Sequence, residues 1–65
     1  MSIDEMIAKF RREKGWTQAE LGERLGVSNQ AVSKWESGMS VPDLNKIIAM
    51  SELFGVSTDY LVKDT

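Results

Sequence analysis

The chain has 65 residues, no cysteine, no histidine and a formal net charge of −2. One domain fits that length, disulfides are excluded, and structural zinc is left without its usual ligands. No apolar run is long enough to span a membrane, and the segment MSIDEMIAKF lacks the basic-then-apolar plan of a signal peptide, so a soluble cytoplasmic protein of tightly packed short helices is expected.

Taken in order, the first helix is predicted from Ile3 to Lys14. Ser2 and Glu5 form a capping box, and Ile3, Met6, Ile7 and Phe10 share one apolar face. Gly15 ends it. Thr17 and Glu20 form a second capping box opening helix 2, with Trp16 just before the cap and Leu21 and Leu25 facing inward. Gly26 is a stop, and Ser28 after it is a good N-cap for helix 3, Asn29 to Ser37, which halts at Gly38. Gly22 is costly within a helix and is expected where another helix crosses at close range. Residues 18–37 therefore read as a helix-turn-helix.

Beyond it, Met39 to Pro42 is a connector, because Pro42 cannot continue a helix but favours starting one. Helix 4 is expected from Asp43 to Phe54, with Leu44, Ile47, Ile48 and Leu53 apolar and Asp43 at its positive end. Ser57 caps a last helix, Thr58 to Lys63. The expectation is an all-α fold of five helices without strands, in a single domain over 1–65.

On helix 3, at 100° per residue, Ala31, Val32 and Trp35 fall within roughly 100° of arc, an inward stripe. Asn29, Gln30, Ser33, Lys34 and Ser37 occupy the opposite face, and none is acidic. A merely solvated helix normally mixes charge signs there. Amides, hydroxyls and a lysine instead match the edges of DNA bases. Gln18, at the start of helix 2, sits beside outward-pointing N–H groups and can donate to a phosphate. The charge distribution agrees. Residues 9–34 carry six basic and three acidic side chains, and the remainder two basic against seven acidic.

The run WTQAELGERLGVSNQAVSKWESG, followed by PDL and later FGVSTDYL, resembles the lambda-repressor/Cro-type helix-turn-helix domain, the xenobiotic-response-element (XRE) type. The match spans about Met6 to Leu61. The resemblance implies a five-helix DNA-binding domain, usually dimeric, that most often represses transcription. It implies that Thr17 and Gln18 bind phosphate and that Ser28, Asn29, Gln30, Ser33 and Lys34 read bases. It further implies that Ser37, Gly38, Met39 and Ser40 lie along the DNA backbone, where their main-chain N–H groups meet phosphate. A helix 1 arginine and a glutamate at the end of helix 3 are often paired in this family. Here these are Arg11 and Glu36, and the pair is expected to tether helix 3 and hold Arg11 near a phosphate. Trp16 departs from the smaller aliphatic residue more usual at its position.

Trp35, Met6 and Met50 are expected in the core, Trp16 at its edge, and Met39 exposed in the loop. Tyr60, Leu61 and Val62 form an apolar C-terminal helix which, with the end of helix 4, is expected to leave a surface for a homodimer. Such a dimer would place two helices 3 roughly 34 Å apart on a palindromic double-stranded operator. The rival reading is an antitoxin-like or other protein-binding module of the same fold. An enzyme is disfavoured: histidine and cysteine are absent, no glycine loop cradles phosphate, and the carboxylates are scattered. No cofactor, metal or small-molecule substrate is expected.

Overall fold

Side chains able to accept a hydrogen bond stand at the start of each helix, and they set where the helices begin. The computed structural model describes residues 2–62 and contains α1 (Ile3–Glu13), α2 (Gln18–Leu25), α3 (Asn29–Ser37), α4 (Leu44–Phe54) and α5 (Thr58–Val62). No strand occurs among the described residues. Thr17 and Glu20 cap reciprocally: the Thr17 hydroxyl oxygen accepts from the Glu20 N–H at 3.0 Å, and the Glu20 carboxylate accepts from the Thr17 N–H at 2.8 Å. Ser28 accepts from the Ala31 N–H at 3.2 Å, and Asp43 from the Lys46 N–H at 2.9 Å. Each such cap contributes about 1 kcal/mol. Asp43 is therefore the cap of α4 rather than its first residue, and Lys14 caps the end of α1. Lys63, the expected end of the last helix, lies outside the described residues.

The core is built from Met6 and Ile7 of α1, Leu21 and Leu25 of α2, Val32 and Trp35 of α3, Met50 and Phe54 of α4, and Leu61 of α5. Burying each large side chain contributes about 1.5–3 kcal/mol before chain entropy is set against it. Phe10 stacks on Phe54 with ring centroids 5.4 Å apart, and Trp16 leans on the same ring at 6.4 Å. Trp16 is thus packed at the core's edge and half-buried, with the Arg24 guanidinium 4.2 Å above its ring. No described helix is long and apolar enough to cross a membrane.

Two expectations are refined by the packing. The close approach at Gly22 is made by the turn and by Ser28, the N-cap of α3. A Cβ there would lie 2.7 Å from the Val27 carbonyl oxygen and 3.2 Å from the Ser28 carbonyl carbon, so the turn's own backbone occupies the space. Gly26 makes that fold-back possible in the left-handed conformation, with φ +72°. The uncovered apolar surface lies only in part where expected: Tyr60 of α5 is 49% exposed. The end of α4 is closed by buried Phe54, whereas Val41 is 71% exposed and Leu44, in the first turn of α4, 67% exposed.

Candidate nucleic-acid interface

The sequence of α3 sorts into two faces, and packing fixes which one points out. Val32 and Trp35 are buried, while Asn29, Gln30, Ser33, Lys34 and Ser37 are all exposed. Four of these five can reach a ligand without first breaking a bond to the protein. The Ser37 hydroxyl donates back to the Lys34 carbonyl at 3.1 Å and keeps only acceptor capacity. Ser28 is exposed, and its oxygen already accepts the cap bond from Ala31, leaving the hydroxyl proton to donate. Asn29, Gln30, Ser33 and Lys34 therefore form a polar strip without a carboxylate, of the chemical types that pair with base edges.

At the start of α2, the Thr17 cap uses the Glu20 N–H. The N–H groups of Gln18 and Ala19 find no acceptor among the described residues. That is the arrangement that suits an anion. The Gln18 side chain, half-buried, donates through Nε2 to Glu36 Oε1 at 3.1 Å. Glu20 is held below its ordinary range mainly by the Thr17 N–H.

Glu36 is the junction of three helices. Its carboxylate accepts from Arg11 Nε at 2.6 Å, from Arg11 Nη2 at 3.0 Å and from Gln18. Arg11 Nη1 donates in addition to the Trp16 carbonyl at 2.9 Å. The Glu36 bond raises the Arg11 pKa, so the guanidinium stays charged throughout the working pH range. The pairing of Arg11 with Glu36 is as expected. The phosphate role expected for Arg11 fits less well, because three of its five N–H groups are spent inside the protein and its side chain is only 12% exposed.

Two further expectations fail in part on geometry. In the loop after α3, the Gly38 N–H donates to the Trp35 carbonyl, and those of Met39 and Ser40 to the Lys34 carbonyl at 2.9 and 3.3 Å. Left-handed Gly38, at φ +80°, turns the chain so that these N–H groups close the helix end. The main chain at Gly38 and Met39 is therefore engaged within the protein, whereas the Ser40 N–H only shares, at 3.3 Å, a Lys34 carbonyl that already accepts from Met39 and the Ser37 hydroxyl. The exposed Ser40 side chain remains. Leu61 is fully buried in the core, so it cannot serve a dimer interface in the folded monomer. Tyr60 stays about half exposed with its ring edge on Phe10, and the Val62 side chain lies outside the described residues.

The Gln18–Glu36 bond was missed from the sequence. One signal was present: Glu36 falls between the inward and outward stripes of α3, where a carboxylate against packed helices needs donors.

The helix-turn-helix family model matches residues 7–61. The chain is 39% identical over 61 residues to the SPbeta prophage-derived uncharacterized HTH-type transcriptional regulator YonR of Bacillus subtilis (strain 168), covering 94% of this chain and 56% of that protein. Identity is also 39% over 61 residues to repressor protein C2 of Salmonella phage P22, covering 94% of this chain and 28% of that protein. The chain thus spans about half or less of these curated relatives. The crystal structure of the P22 c2 repressor with synthetic operator 9T superposes with a TM-score of 0.90 at 36% identity, over 97% of this chain and 96% of that one. With the fold, the capped turn and the sorted faces of α3 in agreement, the chain belongs to the lambda-repressor-like, XRE-type helix-turn-helix family.

Proposed function

We propose that the chain is the DNA-binding domain of a transcriptional regulator, most simply a repressor, that lays α3 in the major groove. The observation that carries this is the outward strip Asn29, Gln30, Ser33 and Lys34: exposed, uncommitted and free of carboxylates. Asn and Gln suit adenine, Lys suits guanine, and Ser suits several partners. Gln18, Thr17 and the first N–H groups of α2 supply phosphate contacts that set register without reading sequence. Relatives named as regulators, and a neighbour solved on its operator, support the reading. A cytoplasmic location follows from it.

A regulator of this kind works as a homodimer on a palindrome, with the two copies of α3 roughly 34 Å apart. Self-association draws on Tyr60 and on the exposed apolar side chains Val41 and Leu44, in place of buried Leu61. The same apolar side chains favour a second reading, a module whose main partner is another protein.

Selection of bound duplexes from a randomised pool tests the proposal. A palindrome should be enriched, and binding to it should weaken steeply with salt. Absence of any enriched sequence, with capture of a protein partner lost on Leu44→Asp, would favour the second reading.

A further inference from the structure

Glu36 is an acid only 7% exposed, placed beside the proposed phosphate-binding Gln18. A negative charge there would be a poor neighbour for DNA unless it did something for the contact. Its hydrogen bonds show what that is. A carboxylate can only accept, so it must face the Gln18 amino group and turn the amide carbonyl away. One amide hydrogen is bound to Glu36, and the second remains for a phosphate oxygen.

We infer that Glu36 is a positioning residue for DNA docking: it fixes the flip and rotamer of the Gln18 amide so that its free N–H is presented to phosphate. The inference rests on the DNA-binding reading above. Arg11 completes the device. Its two bonds neutralise the carboxylate, and its third, to the Trp16 carbonyl, ties down the segment that leads into α2. The contribution of Arg11 to DNA binding is therefore indirect, through Glu36. An unheld glutamine would lose its rotamer freedom only on binding, and affinity would fall accordingly.

A double-mutant cycle on the whole chain with its selected duplex tests this. Gln18→Ala and Glu36→Gln should each weaken binding about tenfold, and the double variant should bind no more weakly than Gln18→Ala alone. In the free protein, the Gln18 side-chain NH2 resonances should shift and lose exchange protection in Glu36→Gln. If the two losses multiply, or if Glu36→Gln leaves affinity unchanged, the inference is overturned and Glu36 only holds the fold. Should Glu36→Gln fail to fold, the paired change Arg11→Met with Glu36→Leu removes both charges while keeping the packing, and the same cycle is run with it. A wild-type chain that binds no duplex would overturn the DNA reading and this inference together. Additive losses in a chain that does bind overturn the inference alone.

Discussion

The two faces of α3 differ in what their side chains are bonded to. On the inner face Val32 and Trp35 are packed in the core, and Glu36 at its border accepts three hydrogen bonds. On the outer face Asn29, Gln30, Ser33 and Lys34 are exposed, with side chains that make no hydrogen bond to the described protein. A helix of nine residues is thus divided between holding the fold and meeting a partner. The lesson is that stability and recognition separate by angle around one helix. Substitutions can be chosen to strike either.

The largest effect should come from the inner face. Trp35→Ala removes a buried indole and should cost about 3–5 kcal/mol in denaturant unfolding, enough to unfold much of so small a domain. Leu61→Asp should be comparably damaging, because it places a charge in the core and not on a free surface. Arg11→Ala leaves the Glu36 carboxylate buried with only Gln18 as donor, and should cost about 3 kcal/mol of stability. Gly22→Ala sharpens the contrast, since alanine is the better helix former. With the Val27 carbonyl 2.7 Å from the new methyl group, it should nonetheless destabilise by about 1–3 kcal/mol.

Outer-face changes should reverse the pattern. Asn29→Ala and Gln30→Ala should leave thermal stability within about 0.5 kcal/mol and weaken binding of the selected duplex by about 1–3 kcal/mol. The smallest effect concerns acid. The capping carboxylates Glu5 and Glu20 are held below their ordinary 4.5, chiefly by the N–H groups of Ser2 and Thr17. A lowered pKa in the fold means that their stabilisation is complete above that ordinary value and is lost as pH falls through the lowered one. The melting midpoint should therefore drop below pH 4.5, and Glu20→Gln should flatten part of that slope.

Among the described residues, helix boundaries were legible to within a residue because the caps and stops are local chemistry. Ser28 and Gly38 bracket α3 as the residue types alone require. The two faces of α3 were legible for a similar reason: nine residues are enough for a 3.6-residue period to declare itself. Five residues are not. In α5, periodicity could not say that Leu61 points inward and Tyr60 outward, since that depends on where α1 and α4 lie. The exposure of Leu44 was hidden likewise, being set by what the other helices fail to cover. The loop after α3 misled for a subtler reason. Its main-chain N–H groups are free in the sequence, but a left-handed glycine turns them back onto Lys34 and Trp35. The Gln18–Glu36 contact joins residues 18 apart, beyond what any local pattern encodes.

The most direct measurement is a pair of titrations of one selected duplex, with wild type and with Gln30→Ala, at two salt concentrations, alongside thermal melts of both proteins. DNA reading by the outer face of α3 predicts coincident melts, a loss of affinity for Gln30→Ala of about tenfold or more, and a similar salt slope for both, since Gln30 meets a base and not a phosphate. Unchanged affinity with coincident melts would contradict it.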